Sequence, residues 1–212
     1  MNIHIVSPYD QTLIQKLPLV GKDAVENALT NAAQLFADPT QHIPTHQRIS
    51  ILEKVVNLMK SKMEELTVIA TQEGGKPYTD SKAEVLRAIN GVKLAAEYIS
   101  QLKGEQIPMG LTKASENRIA FTTREPIGVV AAISAFNHPL NLIIHQTVTA
   151  IAAGCPVIVK PALSTPLSCL AFIKILKEAG LPAGWCQSII CTNEIAELLV
   201  TDCRVNYVSF IG

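Results

Sequence analysis

The chain has 212 residues, of which 48% are hydrophobic and 17% are charged, and this is the composition of a globular protein rather than a disordered one. Its 18 basic and 18 acidic side chains give a net charge of zero, so the charge does not favour a nucleic-acid partner. The longest apolar run, residues 127–136, is about half as long as a membrane-spanning helix. We therefore expect neither nucleic acid nor a membrane among the partners.

The cysteines and the start of the chain indicate the compartment. No positively charged segment followed by an apolar stretch opens the sequence, so no signal peptide is predicted. The cysteines are odd in number and form no Cys-x-x-Cys pair, which fits free thiols in a reducing compartment better than a disulfide framework. We expect a cytoplasmic protein in which all five thiols are buried and inert, namely Cys155, Cys169, Cys186, Cys191 and Cys203.

The first 72 residues are predicted to form a short hairpin followed by two helices. Two strands flank the turn Pro8–Gln11, and a helix covers residues 22–36. A single long helix is then expected from Thr45 onward, because its apolar residues keep a near-helical period until Gly74 and Gly75. These glycines lead into Lys76, and the turn is either an anion site or, as we favour, a plain helix stop.

A third helix and a strand complete the N-terminal half. The helix is predicted over residues 80–102, and residues 117–124 alternate enough in polarity to form a half-exposed strand.

From residue 125 onward, short apolar strands alternate with helices. Strands of this kind with helices between them are parallel and joined by right-handed crossovers, which predicts an α/β fold with a doubly wound sheet. The strands are expected at residues 127–133, 155–159, 185–191 and 207–211, and the helices at residues 140–153, 166–179 and 194–200.

Ligands of doubly wound sheets bind at the carboxyl ends of the strands, where this sequence places two informative side chains. Asn137 offers an amide donor suited to an oxyanion, but from the residues alone we favour its interpretation as the cap of the next helix. Lys160 offers a positive charge suited to a ribose or phosphate, or it is a solvated strand end. No Gly-rich nucleotide fingerprint occurs, and His138 and His145 lack the further ligands that a metal site needs.

Six segments, taken together, resemble the aldehyde dehydrogenase superfamily. They occur in family order along the whole chain, so their combined weight far exceeds that of any single motif. The segments are SPYDQTLIQKLPL (7–19), EGGKPYTDSKAEVLRAINGVKLAAEY (73–98), EPIGVVAAISAFNHPLNL (125–142), TAIAAGCPVIVKPALSTPLS (149–168), EAGLPAGW (178–185) and LLVTDCRVNYVSFIG (198–212).

The resemblance implies a fold and an activity. Members of this family oxidise aldehydes to acids with NAD or NADP, which sits on a variant Rossmann sheet without the glycine fingerprint. A cysteine attacks the aldehyde, and a glutamate activates the water that releases the acid. Both of these residues belong to segments that this sequence does not contain, so we expect an N-terminal, cofactor-binding portion that ends before the catalytic domain and is inactive alone. The alternatives are a standalone nucleotide-binding or interaction module and one half of a two-chain enzyme.

The resemblance also implies roles for particular residues. Asn137 corresponds to the asparagine that donates to the oxyanion, and Lys160 to the lysine that contacts the adenosine ribose. The remaining cofactor-binding positions are then Ile133, Ser134, Phe136, Ala162, Leu163 and Gly212, and no metal is implied.

Two departures from the family pattern stand beside this site. Leu163 replaces a glutamate that grips the ribose in many NAD-preferring members, and Gln146 replaces a lysine. Residues 1–124 are expected to form the hairpin, the helical layer and a strand of the oligomerisation type, which implies a homo-oligomer. Residues 125–212 are expected to form the first βαβαβαβ part of the same cofactor-binding domain.

Overall fold

The computed structural model describes residues 2–212, and its chain begins with the predicted hairpin. Strands β1 (Asn2–Val6) and β2 (Leu13–Pro18) pair in antiparallel fashion. The turn between them passes through Gln11 in a left-handed conformation, with φ of 59°. The two-stranded prediction is confirmed.

Four helices follow the hairpin along the chain. The expectation of a single long helix from Thr45 to Gly74 was wrong. The break falls at Lys62, whose φ and ψ of −104° and 17° leave the helical range. The hydroxyl of Ser61 donates to the Leu58 carbonyl (2.8 Å) and competes with the backbone amide of Lys62 for it. The helices are α1 (Lys22–Ala37), α2 (Thr45–Ser61), α3 (Met63–Gly74) and α4 (Tyr78–Tyr98).

The segment after α4 is less regular than the sequence predicts. A strand over residues 117–124 was expected, but only Ala120–Phe121 (β4) forms a strand, and it pairs with Gln106–Ile107 (β3), for which no strand was predicted. The apolar side chains Ile119 and Phe121 project outward. A two-residue pairing without a packed face contributes little stability of its own.

The predicted βαβαβαβ unit follows, and the α/β fold class is confirmed. Its four strands are all parallel and lie in the order β7-β6-β5-β8. The elements are β5 (Val129–Ile133), α5 (Pro139–Ala153), β6 (Val157–Lys160), α6 (Leu167–Glu178), β7 (Cys186–Ser188), α7 (Asn193–Thr201) and β8 (Val205–Phe210).

The sheet is covered on both faces, which explains why its central strands β5 and β6 are apolar except at Lys160, the last residue of β6. Val130 and Ala132 of β5 face a core that also contains side chains of α2, α4, α5 and α6. Val129 and Ala131 face the opposite way, into a core shared with α1 and α7. This alternation follows from the two-residue period of a strand.

Four of the five thiols are buried as predicted, but Cys203 is exposed. Cys203 lies in the turn between α7 and β8, where the chain reverses at the surface. Within residues 2–212 no helix combines the length and apolar character that crossing a bilayer demands.

Candidate functional site

A groove of about 370 Å³ lies at the carboxyl edge of the parallel sheet. Counted from β5, the strand order reads 3-2-1-4, so the chain changes direction across the sheet between β5 and β8. Crevices at such a switch point are where doubly wound sheets bind their ligands. The residues lining the groove are Ile133, Ser134, Ala135, Phe136, Lys160, Ala162, Leu163, Ser164, Asn193, Phe210, Ile211 and Gly212.

Lys160 provides the one charge among these lining residues. It ends β6 and is only 6% exposed, so the interpretation as a solvated strand end is wrong. Its Nζ donates a hydrogen bond to Asn193 Oδ1 at 3.0 Å. Burial lowers the pKa of the ammonium, and the neighbouring Cys191 acts in the opposite direction. A buried cation with a single neutral partner has donors left for a ligand.

Ser134 is the second buried polar group on the groove. Its backbone amide donates to the Lys160 carbonyl (3.1 Å), which holds the end of β5 against the end of β6. The residue is 6% exposed, and its hydroxyl has no hydrogen-bond partner within residues 2–212. Leaving a buried hydroxyl unpaired costs about 1–3 kcal/mol, a cost that a ligand oxygen or nitrogen at this position would relieve.

Apolar side chains form the rims of the groove. Phe136 is 64% exposed on the loop after β5, and Phe210 is exposed at the end of β8. Leu163 is half-buried and packs on the cluster that contains Leu167. A Cβ atom added at Gly212 would lie 2.5 Å from the Phe210 ring, so any side chain at this position would displace the ring.

Asn137 is exposed in the loop beside the groove and does not line it. It does not cap α5 either, because the N-cap residue is His138, and the local sequence provides no side-chain capping hydrogen bond. The capping interpretation of Asn137 is therefore wrong.

The cap of α5 comes instead from Glu84 on α4, a residue that the sequence analysis missed. The fully buried carboxylate of Glu84 accepts the backbone amides of Leu140 (2.9 Å) and Asn141 (3.1 Å). It also binds the Lys76 ammonium, and His138 Nδ1 lies 3.5 Å away. Gly75, with φ of 62°, ends α3 just before Lys76, so the helix-stop interpretation of this turn is confirmed.

Glu73 caps α6 in the same way. Its buried carboxylate accepts the amides of Leu167 (2.6 Å) and Ser168 (2.8 Å). Burial raises the pKa of Glu73, and its hydrogen bonds with Ser168 only partly oppose that effect. Thus α3 and α4 each supply one carboxylate to a helix that begins just after a loop of the groove.

A parallel sheet in this strand order, with a polar groove at its switch point, places the protein in the class of doubly wound α/β proteins, which includes the dinucleotide-binding proteins. The sequence model described as the aldehyde dehydrogenase family matches residues 1–212. The chain belongs to the aldehyde dehydrogenase family, as its sequence predicts.

Curated relatives and solved structures are similar to the chain over nearly all of its length. The 3-sulfolactaldehyde dehydrogenase of Priestia aryabhattai is 35% identical across 99% of this chain and 44% of its own. The lactaldehyde dehydrogenase of Methanocaldococcus jannaschii is 33% identical across 100% of this chain and 45% of its own. The chain thus spans less than half the length of these relatives.

Two solved structures illustrate the match in three dimensions. Aldehyde dehydrogenase 21 from Physcomitrella patens, in complex with the reaction product succinate, superposes with a TM-score of 0.94 and 32% identity over 99% of this chain and 44% of its own. Glyceraldehyde-3-phosphate dehydrogenase from Methanocaldococcus jannaschii, complexed with NADP, superposes with a TM-score of 0.90 and 32% identity over 98% of this chain and 45% of its own.

Proposed function

We propose that this chain is the N-terminal, NAD(P)-binding portion of an aldehyde dehydrogenase and that its groove holds the adenosine side of the cofactor. The carrying observation is the pair formed by Lys160 and Ser134. Both side chains are buried at the switch point of the sheet, and both have unused hydrogen-bonding capacity. The ribose and phosphate oxygens of a dinucleotide suit a cation beside a hydroxyl.

The residues of the groove then have different roles in binding the cofactor. Lys160 donates to ribose or phosphate oxygens, and the Ser134 hydroxyl gains the partner that it lacks within residues 2–212. The exposed rings of Phe136 and Phe210 offer apolar surface to the flat parts of the ligand. The bound cofactor supplies a hydride acceptor. Asn137, exposed beside the groove, donates its amide to the oxygen of the substrate.

The whole protein, on this proposal, oxidises an aldehyde to the corresponding acid with NAD or NADP, and this chain alone is inactive. The positions of its thiols support the second statement. The exposed Cys203 precedes β8, at the amino ends of the strands and opposite the groove. Cys191 follows β7 near the groove, but it is buried, and burial raises the pKa of its thiol. A nucleophilic thiol needs exposure and a lowered pKa.

Three further parts of the proposal rest on the same family membership. Residues 1–124 and 125–212 are two parts of one cofactor-binding domain. The full-length protein is a homo-oligomer, an arrangement favoured by the exposed apolar side chains around β3 and β4, such as Ile119 and Phe121. The protein works in the cytoplasm, where free thiols persist.

Titration of the purified chain with NADP and with NAD by calorimetry tests the proposal. Lys160→Met keeps the apolar stem and removes the charge. Loss of one charge-assisted hydrogen bond, about 1.5–3 kcal/mol, should weaken binding roughly 10- to 100-fold. Lys54→Met removes an exposed charge on α2 and should bind like the wild type. Equal affinity of the Lys160→Met and Lys54→Met variants would contradict the proposed site.

A further inference from the structure

Gln146 ties together the two strands between which the groove opens. It lies on α5 and is 3% exposed. Its Nε2 is 3.0 Å from the Ile133 carbonyl, 2.8 Å from the Ser209 carbonyl and 3.1 Å from Ser209 Oγ. One side-chain nitrogen therefore reaches the end of β5 and the end of β8 at once.

These contacts lie directly beneath the walls of the groove. Ile133 pairs with Phe210 in the last register position of the two strands, and both residues line the groove. The Ile133 carbonyl also accepts the backbone amide of Ile211 at 3.0 Å. Beyond this point the chains diverge, into the loop after β5 on one side and toward Gly212 on the other. The spacing of the walls is thus set at the position that Gln146 occupies.

The chemistry of this position demands a hydrogen-bond donor. Three oxygen atoms surround one nitrogen, whereas an amide group carries two hydrogens. The opposite amide orientation would place Oε1 against two carbonyl oxygens that can only accept, those of Ile133 and Ser209, so the nitrogen must face the strands. Gln146 Oε1 is itself buried without a partner within residues 2–212. An apolar side chain would leave the three oxygens without this donor, while a lysine ammonium would offer each of them a hydrogen.

We propose that Gln146 is a positioning residue of the cofactor groove, acting by holding the ends of β5 and β8 at the separation that the cofactor requires. This inference rests on the proposed function. Gln146 does not line the groove, so its effect on binding passes through Ile133 and Ser209. Without the tie, the strand ends separate and Ser134 and Phe210 no longer meet the ligand together.

The test compares Gln146→Met, which is similar in length but cannot donate, with Gln146→Lys, which can. Gln187→Met is the matched control. Gln187 Nε2 also donates to a backbone carbonyl, that of Ala28 (3.0 Å), but Gln187 lies on β7 and does not line the groove. Cofactor Kd for NADP and NAD and the thermal midpoint are measured for each variant under conditions where it is folded.

We expect Gln146→Met to raise Kd about tenfold, as the loss of one good hydrogen bond would, and Gln146→Lys to restore it to within about threefold. Gln187→Met should lower the thermal midpoint without changing Kd. A folded Gln146→Met variant with wild-type Kd would overturn the inference, as would a Gln187→Met variant with an equally raised Kd.

Two further outcomes keep the inference and the proposed function apart. If Gln146→Met does not fold, Gln146→Asn, which keeps the amide on a side chain one methylene shorter and so cannot reach both strand ends, takes its place, and an unchanged Kd in that folded variant overturns the inference. If the folded wild type binds neither NADP nor NAD, the proposed function itself fails, and the inference fails with it.

Discussion

Two buried carboxylates cap helices in this fold, and only one of them is paired with a cation within the described residues. Replacing each by its amide should show how much that pairing contributes to the free energy of unfolding. Glu84 and Glu73 are matched in most respects, since each is buried and accepts two backbone amides at a helix start. They differ in that Glu84 also binds the Lys76 ammonium, whereas the described residues place no cation on Glu73. The variants are Glu84→Gln and Glu73→Gln.

The expected magnitudes follow from these contacts. An amide in place of the carboxylate keeps one oxygen for one backbone N–H and leaves the other unpaired, at about 1–3 kcal/mol in either variant. Glu84→Gln also removes the partner of a partly buried cation, and breaking a buried pair costs about 3–5 kcal/mol in total. Glu73→Gln removes a charge that burial disfavours, as the raised pKa of Glu73 indicates, and this offsets the lost hydrogen bond. The free energy of unfolding should fall by about 2 kcal/mol more in Glu84→Gln than in Glu73→Gln.

Urea unfolding followed by fluorescence measures this difference, because the single tryptophan, Trp185, is buried and changes environment on unfolding. The pH dependence adds an independent check. Since the pKa of Glu73 is raised above 4.5 in the folded state, the unfolded state loses this proton first. The contribution of Glu73 to stability therefore falls as pH rises from about 4.5 through its folded pKa, and Glu73→Gln should abolish that fall. Equal destabilisation by the two variants, or a larger loss in Glu73→Gln, would refute the reasoning.

Two further predictions concern the surface near β8. One thiol, Cys203, should react quickly with a bulky thiol reagent in the native chain and all five after unfolding; two or more fast thiols in the folded chain would show that the buried cysteines are accessible. Asp202 has its pKa lowered to about 2, chiefly by its hydrogen bonds with Arg204, so its stabilisation is present above about pH 4 and is lost as pH falls toward 2. Asp202→Asn should lower the free energy of unfolding by about 1–2 kcal/mol at pH 7, after allowance for solvent screening, and by nearly nothing at pH 2; a gap that persists at pH 2 would contradict this account.

The groove was predictable because it depends on local patterns. Short apolar strands with helices between them specify parallel strands, and their carboxyl ends must then meet at one edge. Ser134 directly follows β5 and Lys160 ends β6, so the sequence alone predicts that they lie at the same edge of the sheet. Whether Lys160 was buried or solvated depended on Asn193, which only the folded chain brings to it.

The caps and the strand tie were not predictable in this way, because their partners are remote. Glu84 is 56 positions from Leu140, and Glu73 is 94 from Leu167. A signal was present nonetheless, since Glu84 shares the apolar face of α4 with Val85 and Ala88. A charged residue on an apolar face needs a buried partner. The partner itself is set by how the helices pack, which periodicity does not encode.

The break at Lys62 and the small β3–β4 pair were missed for another reason. No glycine or proline marks the break, and apolar residues on either side of Lys62, such as Met59 and Leu66, both reach the core, so the helical period continues through it. Strand β4 lies within the predicted strand over residues 117–124, whereas β3 has only two residues, too few to produce an alternating pattern. Each feature depends on a few local hydrogen bonds, which a hydrophobic period does not reveal.

The most direct test of the central claim is a crystal structure of the chain grown with NADP or with NAD. We expect the adenosine ribose in the groove between β5 and β8, with Lys160 Nζ and Ser134 Oγ each within about 3.2 Å of a cofactor oxygen or nitrogen. A cofactor bound elsewhere, with the hydroxyl of Ser134 still unpaired and Lys160 bonded to Asn193 alone, would contradict it.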